Sequence, residues 1–152
     1  MTSVMDRRTF LATLAGGLLA APRAAEGQSA GRIPRVGVLA PGAGPRPGTP
    51  LLAPVEAFLQ GLRDHGYVVG QNLILDTRWD EGRSERHVQQ AQEFVAAGVD
   101  VIVASTTAST LAARKVTRTT PIVMAASGGV DPVELGLAES LGRPGGNVTG
   151  RC

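Results

Sequence analysis

One apolar, mostly β-branched run, Val99-Asp100-Val101-Ile102-Val103-Ala104, empties directly into the small residues Ser105-Thr106-Thr107-Ala108. Apart from Asp100 it lacks the polar alternation of a strand with one wet face. It calls for a strand covered on both sides, as in a parallel sheet flanked by helices. The next residues, Ser109-Thr110-Leu111-Ala112-Ala113-Arg114-Lys115, read as a helix. The hydroxyls of Ser105, Thr106 and Thr107 therefore fall between a strand end and a helix start. Free backbone N–H groups there favour an anion or a carboxylate. Thr106 or Thr107 equally suits the plain duty of capping the helix, and residue types alone do not separate the two roles.

Other segments repeat the design. Arg35-Val36-Gly37-Val38-Leu39-Ala40, bounded by Pro34 and Pro41, reads as a first buried strand in the interior of the sheet. Thr120-Pro121-Ile122-Val123-Met124-Ala125 reads as another strand, leaving through Ala126-Ser127-Gly128-Gly129. Residues 72–79 alternate only in part, which suits an edge strand. Between the strands, Leu52, Val55, Phe58, Leu59 and Leu62 mark one face of a helix over residues 51–65. Gly66 follows as a left-handed cap, with His65 in the last turn near the negative end of the helix dipole. Ser84 is the expected N-cap of a second helix whose buried stripe is Val88, Ala91, Phe94 and Val95, closed by Gly98. Asp131-Pro132 is an expected cap and first position of a helix continuing from Val133. This alternation predicts an α/β fold, a doubly wound, Rossmann-like parallel sheet. Right-handed crossovers then bring the loops that begin at Pro41, Ser105 and Ala126 to one sheet edge.

Several chemistries find no footing. Gly42-Ala43-Gly44 resembles the start of a dinucleotide loop, but Pro45 removes a backbone donor and no third glycine is in register. His65 and His87 have no ligand-spaced neighbours, and Cys152 is the one cysteine, so the sequence predicts no metal site, no disulfide framework and no cofactor. Asp76, Arg78, Asp80, Glu81 and Arg83 read as mixed charges on a solvated edge, and Trp79 as a shield for the core. With a net charge of +2 and no basic cluster interleaved with aromatics, no nucleic-acid partner is expected.

The first thirty residues point to a compartment. Asp6-Arg7-Arg8-Thr9-Phe10-Leu11 is a twin-arginine pattern, followed by an apolar stretch over residues 11–21 and Pro22. That stretch is about half of the ~20 residues a membrane span needs, so no retained span is expected. Residues 1–27 read as a twin-arginine-type signal peptide cleaved before Gln28, residues 28–34 as a linker and residues 35–152 as the α/β unit. The expected location is periplasmic or secreted.

Taken in order, the leader, Val36-Gly37-Val38-Leu39, Phe58-Leu59-Gln60-Gly61-Leu62-Arg63-Asp64-His65-Gly66-Tyr67, Gly70-Gln71-Asn72, the run at residues 99–104, Thr120-Pro121-Ile122-Val123, Asp131-Pro132-Val133 and Arg143-Pro144-Gly145-Gly146-Asn147-Val148-Thr149-Gly150 resemble one family. It is the periplasmic substrate-binding proteins of ABC transporters, of the tryptophan/tyrosine-type group. The resemblance implies a type I periplasmic-binding-protein lobe, truncated before its second lobe. It implies no enzymatic activity but a solute-binding role in import, with a small amino-acid-like or carboxylate solute and an ABC transporter permease as partners. Carried over by position, Pro41, Ser105, Thr106, Thr107, Ala126 and Ser127 touch the ligand. The proline-rich segment over residues 41–50 departs from the family pattern. Two alternatives share the sheet: an exported Rossmann-like oxidoreductase or hydrolase, and the sensing domain of a transcriptional repressor. The sequence has neither a catalytic fingerprint for the first nor a helix-turn-helix before Arg35 for the second.

Overall fold

The computed structural model describes residues 31–125, 133–137 and 146–150. Within them the chain runs β1 (Arg35–Ala40), α1 (Ala53–Asp64), β2 (Ile74–Trp79), α2 (Arg86–Ala96), β3 (Val101–Ala104), α3 (Thr107–Val116), β4 (Ile122–Met124) and β5 (Val148–Gly150). The strands form one parallel sheet in the order β2-β1-β3-β4-β5. This is the expected doubly wound α/β arrangement, with β3 at the centre and β2 on an edge.

The core lies where the central strands meet α2 and α3. Leu39, Ile102, Ala104, Ile122 and Met124 pack with Ala91, Phe94 and Ala113, and Val148 brings β5 into the same cluster. Gly37 shows how tightly α2 is seated. A Cβ there would stand 2.6–2.8 Å from the Phe94 ring, so the aromatic face rests directly on the β1 backbone.

Local chemistry fixes the element ends. Gly66 and Gly98 take φ values of +82° and +67° just past α1 and α2, as expected of left-handed caps. Asn72 closes the turn into β2, accepting from Val68 N–H at 2.6 Å and donating to the Gly66 carbonyl at 2.8 Å. Asn147 ties the start of β5 to the α3–β4 connection by donating to the Thr120 carbonyl at 2.6 Å. These asparagines of the family-like motifs therefore stitch loops together.

Several expectations are corrected. The N-cap of α2 is Glu85, in helical conformation and with no side-chain cap bond, in place of Ser84. Ser84 contributes its carbonyl, which accepts from His87 N–H at 3.2 Å, so a tight turn leads into the helix without a hydroxyl cap. The buried stripe of α2 is His87, Gln90, Ala91 and Phe94, with Val95 exposed. Polar side chains enter the interior there because they have partners within it, described below. On α1 the apolar face is only half-buried: no side chain of that helix is fully covered. Asp131-Pro132 lies outside the described residues, and Val133 through Gly136 form a turn in place of a helix, with Gly136 at φ +65°. No described helix is long and apolar enough to cross a membrane. Residues 1–27 are outside the described residues.

Candidate functional site

The strand exits line up along one edge of the sheet. Ser105 N–H donates to the Leu39 carbonyl at 3.0 Å, Asp80 N–H to the Ala40 carbonyl at 3.1 Å, and Ala125 N–H to the Ala104 carbonyl at 2.9 Å. From β1 the chain crosses outward to β2, then returns over β1 to β3. The loops after β1 and β3 consequently part company. The crevice between diverging loops at such a switch point is where doubly wound sheets hold their ligands.

Pro41 follows β1 and the half-buried Ser105, Thr106 and Thr107 follow β3, so four of the six residues singled out from sequence lie at this edge of the sheet. Ala126 and Ser127 lie outside the described residues, directly after the β4 exit at Ala125. The three hydroxyls have different occupations. Thr106 is the N-cap of α3, in extended conformation at φ −142°, and forms a reciprocal capping box with Ser109. Its Oγ1 accepts from Ser109 N–H at 3.1 Å, while Ser109 Oγ accepts from Thr106 N–H at 3.0 Å. Ser109 is fully buried and Thr106 Oγ1 is committed to the helix. Thr107 is the first residue of α3. Ser105, the last residue before the cap, has no side-chain hydrogen bond among the described residues. Thr106→Ala is expected to cost about 1 kcal/mol, the worth of a cap, read as a lower urea midpoint with an unchanged slope.

The loop after β1 is held by a residue that charge patterning misread. Asp80 ends the β2 exit and is only 6% exposed. Its Oδ1 accepts the N–H groups of Gly42 at 2.7 Å and Gly82 at 2.9 Å, and Glu81 N–H donates back to the Gly42 carbonyl at 2.8 Å. Fully buried His87 stands behind it, with Nε2 3.3 Å from Asp80 Oδ2, an ion-pair distance whose angle makes no hydrogen bond. His87 Nδ1 lies 3.2 Å from Gln90 Oε1, and Gln90 Nε2 donates to the Trp79 carbonyl at 2.9 Å. The Gly82 N–H, aided by the Gly42 N–H and by the charges of His87 and Arg86, holds the Asp80 carboxyl below its ordinary value, although burial pushes the other way. Asp80 is thus not one more charge on a wet edge. It clasps the two loops that follow β1 and β2. An aspartate two residues before a glycine was the available signal, because such a side chain turns back on its own backbone.

Among the described residues no group of His, Cys, Asp and Glu is arranged to hold a metal ion. The crevice instead offers backbone dipoles, hydroxyls and the positive pole of α3, which are means of holding a polar solute.

A family model described as ABC transporter substrate binding protein matches residues 46–151. The tyrosine-binding protein of Clostridioides difficile is 39% identical over 95 residues, spanning 62% of this chain and 27% of its own length. A conserved domain protein from Vibrio cholerae superposes with a TM-score of 0.66 at 32% identity, covering 78% of this chain and 38% of that one. An ABC domain from Streptococcus pneumoniae in complex with L-Trp superposes with a TM-score of 0.62 at 28% identity and the same coverages. The chain therefore spans about a quarter of the curated relative it matches and 38% of those solved chains.

Proposed function

The chain belongs to the ABC transporter substrate-binding protein family, and from that premise we propose that it serves as the solute-binding component of an ABC import system. Its solute is a small amino-acid-like or carboxylate molecule held at the crevice between the loops after β1 and β3. The family match over residues 46–151 carries this reading. The tyrosine and L-Trp in the names of its relatives support the solute class.

In this reading the carboxylate lies at the positive end of α3, beside the Ser105 hydroxyl and Thr107, with Pro41 on the opposite side. Ala126 and Ser127, which follow β4 in the sequence, complete the proposed set of ligand contacts. Thr106 acts through the cap, holding the first turn of α3 in place for the solute. The permease of the transporter is the macromolecular partner, and residues 1–27 direct export to the periplasm through the twin-arginine route. An exported enzyme on the same sheet draws no support from the matched family.

Binding is tested by thermal shift of the chain with L-tyrosine, L-tryptophan and acetate. A solute at about a hundred times its Kd stabilises the folded state by about 2.7 kcal/mol, a readily measured rise in Tm. The expected result is a saturable rise with the amino acids that Thr107→Val removes. The absence of any rise with amino acids or small carboxylates sinks the proposal.

A further inference from the structure

β2 closes one side of the sheet, and among the described residues nothing pairs with its outer side. Natural edge strands are guarded by prolines, bulges or shortness. β5, on the far side, is three residues long and ends in Gly150. β2 has six residues, Ile74 to Trp79, with no proline among them, and it pairs with β1 in unbroken register along its whole length. Ile74 N–H donates to the Pro34 carbonyl at 2.9 Å and Asp80 N–H to the Ala40 carbonyl at 3.1 Å, so the even-numbered residues bond inward. Strand alternation then turns the backbone groups of Leu75, Thr77 and Trp79 outward. The Gln90 amide reaches one of them, the Trp79 carbonyl, and a carbonyl can accept twice. Beside the strand runs a groove of about 420 Å³ against α2, whose walls carry Arg78, Arg86, Glu81 and Glu93, cations and anions together.

We propose that β2 is a self-association surface: two copies of this chain pair antiparallel along it, about a two-fold axis at Thr77, and join their sheets into one. The assembly goes beyond solute binding and does not depend on it. The charge pattern selects both the occupant and the register. Asp76 and Arg78 share the face of β2 that lies toward α2, paired with each other at 3.0 Å, and Arg78 also reaches Glu93 at 3.0 Å. Arg78 and Asp76 keep 41% and 38% of their side-chain exposure, so both have room for a second partner. Centring the pair on Thr77 sets Asp76 of each copy opposite Arg78 of the other, which makes two cross-strand ion pairs from one self-complementary surface. On the opposite face Leu75 lies across from Trp79. Thr77 meets its own counterpart and exchanges both backbone hydrogen bonds with it, and Leu75 with Trp79 does the same on either side. A parallel pairing in matched register places like charges side by side instead. A strand bearing one charge of each sign is a better match for its own copy than for a peptide of a single charge. The contact is one strand wide, which puts it in the small, transient class of interfaces below about 1,200 Å².

The test is sedimentation velocity of the full chain from roughly 1 to 200 μM, a range that spans the dissociation of a weak interface. The expected result is a monomer–dimer equilibrium within that range. Thr77→Pro, whose lost N–H points outward and breaks no bond to β1, weakens the dimer about tenfold or more while the chain keeps a cooperative melt. Asp76→Arg and Arg78→Asp each set like charges across the axis and weaken self-association about tenfold. Mixed in equal amounts, these two variants dimerise with each other about as well as wild type, because every charge then faces its opposite. In hydrogen exchange, the Leu75 and Thr77 amides gain protection as concentration rises, whereas those of Asp76 and Arg78, turned toward β1, do not. A chain that stays monomeric at roughly 200 μM overturns the proposal and leaves the edge to a segment of another protein. A dimer that Thr77→Pro leaves intact overturns it as well, since the copies then meet on another face. A mixture of the charge variants that fails to dimerise where wild type does overturns the antiparallel register, and the proposal with it. If either charge variant does not melt cooperatively, the Thr77→Pro and exchange results decide alone.

Discussion

Phe94→Ala is expected to cost about 3–5 kcal/mol, which approaches the whole stability of an ordinary domain. The ring is fully buried, lies on the β1 backbone at Gly37, and has the Arg78 guanidinium 5.8 Å from its centroid. Truncation leaves a void between α2 and the sheet that neither rigid neighbour can close. Equilibrium denaturation should show the loss as a lower urea midpoint. The same contact is sensitive from its other side: Gly37→Ala drives a methyl group into the ring and should cost about 1–3 kcal/mol. If the contact is the cause, the two substitutions are not additive, and G37A with Phe94→Leu should be more stable than the separate losses sum to. Simple additivity would show that the two residues act independently.

Asp80→Ala is expected to cost about 2 kcal/mol and to free the loop after β1. Two backbone N–H groups lose their acceptor; the cost stays near ~2 kcal/mol because Gly42 and Gly82 are exposed and their amides can recruit water. Hydrogen exchange at Gly42 and Gly82 should accelerate well beyond the global change in stability. The clasp is also acid-labile. The folded state holds this carboxyl below its ordinary value, so the unfolded chain takes up the proton first as pH falls. The stability contributed is complete at neutral pH, declines as pH drops through the ordinary carboxylate range, and is gone below the folded value. Asp80→Asn keeps an acceptor for both amides but loses the charge. It should destabilise less than alanine at neutral pH and flatten the acid limb of the stability profile. An acid limb identical to wild type in D80N would assign that limb to other carboxylates.

Much of the fold was legible because the features that specify it are local. The residues of β1, the alternation leading into β2 and the glycines at positive φ after α1 and α2 each carry their own instruction in two to ten residues. The position of the hydroxyl cluster at Ser105, Thr106 and Thr107 was legible for the same reason, since a buried strand emptying into hydroxyls places them on the sheet edge. Its division of labour was not. Only the capping box shows that Thr106 serves the helix, whereas Ser105 Oγ makes no hydrogen bond among the described residues. β5 escaped notice because three residues carry too little pattern, and its pairing is set by Asn147 bonding to a carbonyl 27 residues away. Asp80 was misjudged, and His87 left out of the buried stripe, because the partners that bury a carboxylate in a charged run or a histidine at a helix start arrive from other elements. The burial of His87 and Gln90 in place of Val88 and Val95 follows from that: once Asp80 and the Trp79 carbonyl lie beneath α2, polar side chains are the better fit on that face.

The sheet order also governs how the molecule is assembled. β1 joins β2 through one compact crossover, but its other neighbour, β3, arrives much later: Arg35 N–H meets the Asp100 carboxylate across 65 residues. Closing so long a loop is entropically slow, and contacts this remote delay the folding transition of parallel sheets. During that interval the β1–β2 pair presents an open, apolar strand edge at Val36, Val38 and Leu39 to any other chain nearby. The period of greatest aggregation risk is therefore before residues 101–104 dock, and slowing synthesis or lowering chain concentration protects this step more than any change to the finished surface.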